Sequence, residues 1–176
     1  MRVARRFALV AAAAGAAVAV LGPVSSAQHA LSPCTGSMLT GSFKVVPGSA
    51  GAGNIVYRLK LTTTGGKSCF VTGIPGLTLL DKTGHKLPTN AKFAGKPGSL
   101  TAVMVPLAPG KYAALTARFS PDVPGPGEPA MGGACEKTAY KLEVAPSGGG
   151  AAVVPISPPT PVCEHGGLQL TVFTIS

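Results

Sequence analysis

The sequence predicts an all-β domain behind an export signal, and three observations predict it. Segments alternate with the two-residue period of a half-buried strand, as where Ile55, Tyr57, Leu59 and Leu61 are set against Val56, Arg58 and Lys60. Turns rich in Gly and Pro separate these segments, drawn from 24 glycines and 17 prolines. Beyond the N-terminal apolar run, no stretch carries a convincing amphipathic-helix pattern. About eight or nine short strands spaced by such turns read as an antiparallel immunoglobulin-like β-sandwich.

The N-terminus has the three parts of a secretory signal peptide. Arg2, Arg5 and Arg6 supply positive charge, Phe7 to Leu21 an apolar run, and Ser25 and Ala27 the small residues before a cleavage point. The apolar run of about fifteen residues falls short of the ~20 that span a membrane as a helix. Phe7 follows Arg6 one position too early for a twin-arginine signal, which favours export of an unfolded chain. The expected organisation is a signal-peptide helix over 1–27, cleaved near Ala27, a short tail over 28–33, and a single β-sandwich domain over 34–176. The product is then secreted or associated with the cell envelope, with no stable membrane span.

Taken in order, Leu39 to Val46 forms the first strand, and Pro47 to Gly53 breaks it into a hairpin loop. Asn54 to Thr62 returns as the clearest strand, and Thr64-Gly65-Gly66-Lys67 turns into Ser68 to Thr72. Leu77 to Leu80 follows, closed by the tight turn Asp81-Lys82-Thr83-Gly84, with His85 to Leu87 as the returning strand. Further strands are expected at Leu100 to Leu107, Tyr112 to Ser120, Thr138 to Ala145, Ala151 to Ile156 and Leu168 to Ile175. Pro121 to Gly133, Pro146 to Gly150 and Pro155 to Pro161 read as loops, because proline removes a ladder donor and glycine weakens a strand.

Cys34, Cys69, Cys135 and Cys163 all lie in the exported part, and an even count in an oxidising compartment reads as two disulfides. Three pairings are open. Cys34 with Cys69 and Cys135 with Cys163 is favoured, since each bridge then ties a loop-rich stretch to a strand within one half of the chain. Each such loop of roughly 30 residues is worth about 3–4 kcal/mol in the chain-entropy account. Cys163-Glu164-His165 brings a thiol and an imidazole close, but the zinc spacings CxxC and HxxxH are absent, and no Met follows Met131 to complete a copper centre. Neither a metal nor a cofactor is expected. Leu31-Ser32-Pro33-Cys34 resembles a lipoprotein processing box, which Pro33 spoils.

The formal net charge is +9. Three arginines leave with the signal, so the mature chain keeps roughly +6, enough to be attracted to an anionic envelope. Lys44, Lys60, Lys67, Lys82, Lys86, Lys92, Lys96, Lys111, Lys137 and Lys141 stand singly along the chain, with no Arg-rich stripe and few aromatics, which argues against nucleic acid as a partner. The partners this leaves are a cell-envelope component or another secreted protein.

Chemistry-bearing motifs are scarce. Gly66-Lys67-Ser68 lacks the upstream glycine and following helix of a phosphate loop, and no serine sits in a Gly-x-Ser-x-Gly elbow. The groups available for acid-base work are His29, His85 and His165 with Asp81, Asp122, Glu128, Glu136, Glu143 and Glu164. Most read as solvated surface groups, and Glu164 and His165, adjacent on a strand, would point to opposite faces. The expectation is a non-enzymatic binding module with no catalytic residues, whose site lies on loops at one end of the sandwich. The alternative is an envelope hydrolase with its acid or base at Glu164, Glu136 or His165.

One family fits the order of landmarks. They are Cys34 to Leu39, the Ile55 to Leu61 strand, and Ser68-Cys69-Phe70-Val71-Thr72-Gly73-Ile74-Pro75-Gly76 leading into Leu77 to Asp81. Leu107-Ala108-Pro109-Gly110 then precedes the Tyr112 to Phe119 strand, and Cys135 and Cys163-Glu164-His165-Gly166-Gly167-Leu168 close the pattern. Together they resemble the secreted actinobacterial family catalogued as domain of unknown function 4232. Ile74 stands where that family commonly has an aromatic, and Thr63-Thr64 where it often has an Asn. The resemblance implies an exported β-sandwich with paired cysteines, sometimes lipid-anchored, and supplies no active site.

Overall fold

The structure is a computed structural model that describes residues 31–95, 104–129 and 135–175. The signal peptide, His29 and Lys96 lie outside the described residues. Among the described residues eleven strands carry the architecture: β1 Leu39–Val45, β2 Ile55–Thr63, β3 Cys69–Thr72, β4 Gly76–Leu80, β5 Asn90–Phe93, β6 Met104–Leu107, β7 Tyr112–Phe119, β8 Ala139–Ala145, β9 Ala152–Thr160, β10 Gly167–Leu170 and β11 Thr174–Ile175. Nine of them form a nearly closed sheet in the order β4-β8-β9-β1-β2-β7-β10-β5, with β11 beside β7, and β3 and β6 pair separately.

Alternation along β2 drives the core. Tyr57, Leu59 and Leu61 point inward and are at most 1% exposed, while Arg58 between them faces solvent. Register then sets large against small: Tyr57 lies opposite Ala117 and Leu61 opposite Ala113, so bulky side chains of β2 pack over alanines of β7. Phe43, Tyr57 and Phe119 form a continuous aromatic stack, with ring centroids 5.1 Å apart at both contacts. Leu142 and Val144 of β8 and Val154 of β9 extend the same core, and Val71, Val105 and Leu107 of the β3–β6 pair close over it.

The all-β expectation holds, and its purely antiparallel form needs correction. β9 runs parallel to β1 through Phe43↔Ile156 and Lys44↔Ser157, and β5 runs parallel to β10 over four residue pairs, so the sheet is mixed. Both parallel pairings join segments far apart in sequence, where no local turn signals them.

Three segments also differ from the sequence reading. His85 to Leu87 is not a strand. The Asp81 carboxylate collects the backbone N–H of Thr83 and of His85 and the Thr83 hydroxyl, and only Lys86 bridges back to Leu80. The next strand is instead Asn90–Phe93. Pro155 to Pro161, read as a loop, is mostly strand. β9 lies between two neighbours there, pairing with β8 over Ala152 to Pro155 and again at Thr160, and with β1 at Ile156 and Ser157, and Pro155, Pro158 and Pro159 are all exposed. Leu168 to Ile175 is two strands, β10 and β11, with Phe173 between them buried to 1% exposure.

Cys34 bonds to Cys69 and Cys135 to Cys163, with Cα atoms 5.0 and 5.5 Å apart. The first bond fastens Ser32 to Cys34 alongside β3, where Cys34 N–H donates to the Phe70 carbonyl and Phe70 N–H to that of Ser32. The second brings the end of the Pro-Gly loop against the segment that enters β10.

Candidate functional site

That second junction holds the titratable groups singled out in the sequence. Glu164 and His165 are not on a strand. They form a left-handed turn between Cys163 and Gly166, with φ of 58° and 56°, and Gly166 continues it at 76°. Left-handed backbone costs a non-glycine residue roughly 1–2 kcal/mol, so something must hold the turn. The Glu128 carboxylate does so. One of its oxygens accepts the N–H groups of Gly125 at 2.6 Å and Glu164 at 2.9 Å, and the other accepts that of His165. Successive N–H groups in such a turn make an anion-binding concavity, here filled from within the chain.

The Glu128 side chain is 3% exposed. Burial raises its pKa, but the N–H donors of Gly125, His165 and Glu164, together with the His165 ring, outweigh it and hold the carboxyl below the ordinary glutamate value. The His165 ring completes the junction: Nε2 donates to the Pro126 carbonyl at 3.0 Å, and Nδ1 lies 3.6 Å from Glu128 and 4.0 Å from Glu136. Sequence reasoning named Glu136 and His165, which are brought together, but missed Glu128 as the centre, because a glutamate in a Pro-Gly loop carries no local sign of its distant partners. Ligand atoms of Glu128, Glu136 and His165 lie within 4.8 Å of one another. A cation there would compete with three N–H groups for the Glu128 oxygens, so the donor set fits a structural clamp better than a metal. Glu128 also lies close to Cys135 and Cys163, whose sulfurs are committed to their disulfide.

The other sequence candidates stand apart from this junction. Asp81 and His85 share the hairpin after β4, and hydrogen bonds led by that from the Thr83 hydroxyl hold the Asp81 pKa down at about 2. Glu143 of β8 pairs with Lys86 at 3.8 Å.

Glu164 lies at the edge of a second, larger feature. On β1, β2, β7, β10 and β5 the outward positions carry Lys44, Arg58, Lys60, Arg118 and Lys92, and no acidic residue. Register makes them one patch. Lys44 is the cross-strand partner of Arg58, Ser42 of Lys60, Val56 of Arg118, Arg118 of Gln169, and Gln169 of Lys92. Among the described residues none of the five cations forms an ion pair. The Lys60 ammonium sits 4.3 Å over the Tyr112 ring. The rest of the face is mostly polar, with Thr40, Ser42, Thr62, Thr116, Gln169 and Asn90 outward and Val56 and Ala114 as apolar positions among them.

Three shallow clefts indent this face. One of about 220 Å³ is lined by Asn54, Asn90, Lys92, Arg118, Gln169 and Glu164 among others. A second of about 200 Å³ takes in Arg58, Tyr112, Thr116 and Thr171. The third, about 230 Å³, shares Arg58 with it and adds Ser42, Lys44 and Lys60, with Val45, Val46 and Pro47 as its apolar wall. The premise that the lysines are scattered is therefore corrected in space, since Lys44, Lys60 and Lys92 converge with two arginines. The signal lay in the alternation of β2, which already put Arg58 and Lys60 on one face, but neighbours on β1, β5 and β7 required the register.

No curated protein and no solved structure matches the chain. A family model described as Domain of unknown function (DUF4232) matches residues 34–175, from the first cysteine through β11. With that match spanning every described strand, the chain belongs to the DUF4232 family.

Proposed function

We propose that this is an exported, non-enzymatic module that works by binding at the cell envelope or in the extracellular space. The observation that carries the reading is the outward face of β1, β2, β7, β10 and β5, whose strands carry no outward acid, with Glu164 only at its edge, and whose five cations form no ion pair among the described residues. Like charges gathered without counter-charges cost stability, and a partner of opposite sign offsets that cost. Export is supported by the signal pattern over 1–27 and by two disulfides, which persist in oxidising compartments. Among the described residues no helix is long and apolar enough to cross a membrane. An immunoglobulin-like sandwich would use loops at one end for recognition; the charge distribution favours the sheet face. The test is retention of envelope fractions by the processed domain at several salt concentrations. Retention that weakens with salt is expected, and background-level retention at every salt overturns the reading.

The hydrolase alternative draws on one observation, that Glu164 lines a cleft with Arg118 and Lys92. His165, its proposed companion, has one ring nitrogen on the Pro126 carbonyl and the other facing Glu128 and Glu136. Turnover of ester or glycoside substrates by the purified domain, abolished in Glu164→Gln, would favour this alternative.

A further inference from the structure

We infer that the basic face binds an acidic glycopolymer, an extended hydroxyl-rich chain that carries carboxylate or phosphodiester groups along its length. The inference rests on the binding reading above and names its partner class.

Three features of the face select this class. The first is extent. Lys44 and Lys92 lie four inter-strand steps apart, on the order of 19 Å along the sheet surface, with Arg58 and Arg118 between them. A single small anion would engage one or two of these groups, whereas a polymer engages the row. The second is polarity. Between the cations stand Ser42, Thr116, Gln169 and Asn90, donors and acceptors suited to hydroxyls and to anionic oxygens. The third is shape: the three clefts follow one another across the same strands, Arg58 being shared by two of them.

Other polyanions and surfaces fit less well. Single-stranded nucleic acid is held by rows of aromatic side chains on which bases stack, and among the described residues this face offers only Tyr112, already covered by Lys60. An anionic bilayer recruits surface helices through a basic face joined to an apolar one, whereas the outward positions between these cations are mainly Thr, Ser, Asn and Gln. Protein interfaces set their arginines among aromatic residues and methionine, whereas among the outward positions of these strands Tyr112 alone is aromatic and none is methionine.

The test uses the processed domain against immobilised polygalacturonate and poly(glycerol phosphate), with dextran, a single-stranded oligonucleotide and phosphatidylglycerol vesicles as comparison probes. Binding to one or both acidic polymers and not to dextran is expected, weakening roughly ten- to hundredfold between about 50 and 200 mM salt as counterions compete. The two acidic polymers separate carboxylate from phosphodiester recognition. The doubly exchanged Arg58→Glu/Arg118→Glu should lose at least tenfold in affinity, and Lys44→Glu/Lys92→Glu, which spares the centre, should lose less. Lys82→Glu/Lys137→Glu makes the same change in net charge away from the face and should lose under threefold. All these side chains are exposed, and circular dichroism confirms that each variant is folded.

Equal losses from both kinds of exchange, or stronger binding to the oligonucleotide or the vesicles, would overturn the inference. So would retention of envelope fractions with no binding to either acidic polymer, which leaves the broader binding role standing. Failure on envelope fractions as well removes both.

Discussion

Lys44 and Arg58 stand directly opposite each other on the outward faces of β1 and β2, two like charges with no acid on the strands that carry them. Direct cross-strand repulsion of this kind destabilises a sheet, typically by a few tenths to about 1 kcal/mol relative to a neutral pair. Lys44→Glu should therefore raise stability by roughly 0.5 kcal/mol at low salt while weakening polyanion binding. Urea unfolding of the two proteins, read beside their affinities, checks both signs. A variant that lost both stability and affinity would mean that Lys44 serves the fold.

Glu128 is the clamp of the left-handed turn, and its pKa is held below the ordinary 4.5 by N–H donors that overcome the effect of burial. The carboxylate form is thus favoured in the folded state, and the contribution is complete above 4.5 and lost as pH falls through the lowered folded value. Glu128→Gln should lower the melting temperature at pH 7 and flatten the acid limb of the stability curve. His165→Ala, which keeps the backbone N–H, should do less. Melting curves taken between pH 7 and pH 2 separate the two.

Gly166 has φ of 76°, and a Cβ there would lie 2.0 Å from the Pro88 carbonyl oxygen. Neither the conformation nor the space admits a side chain, so Gly166→Ala should cost at least about 1 kcal/mol. Because the turn leads directly into β10, hydrogen exchange should quicken first at Gly167 to Leu170 and at their neighbours on β5.

Tyr57 donates its hydroxyl to the Pro158 carbonyl at 2.9 Å, tying the aromatic stack to the far end of β9. Removing that bond in Tyr57→Phe should cost about 1 kcal/mol. Burial raises the Tyr57 pKa above 10.0, against a smaller lowering by Thr160. The neutral phenol is favoured in the folded state, so its contribution is complete below pH 10.0 and lost as pH rises through the raised value. Wild type should accordingly lose stability above that pH more steeply than the Phe variant.

Much of the strand inventory is legible in the chain because alternation is a local property. Ile55 to Leu61, Tyr140 to Val144 and the Leu39, Phe43 side of β1 each declare an inward face within a few residues. What stayed hidden depends on distant partners. Asn90–Phe93 has no distinctive pattern and becomes a strand by running parallel to β10, while Pro158 and Pro159 lie within a strand because β9 is held on either side of them, by β1 at Ser157 and by β8 at Thr160. The junction follows the same logic: Glu128 acquires its role from N–H groups 36 and 37 residues further along. The basic face is intermediate. Arg58 and Lys60 could be placed side by side from β2 alone, but Lys44, Arg118 and Lys92 join them only through register.

The uneven distribution of charge has a bearing on how the molecule moves as well as on what it holds. Cations crowd the outward side of β1, β2, β7 and β5 with no acid on those strands, whereas Asp81 after β4 and Glu143 of β8 stand among Lys82, Lys86 and Lys141, where opposite charges largely cancel. Such an arrangement gives the domain an electric dipole, and a negatively charged wall would rotate it during approach, before any contact forms. It would arrive lying on its basic side, with Tyr140 and Val153 turned to the surroundings, exposed and free to meet something else.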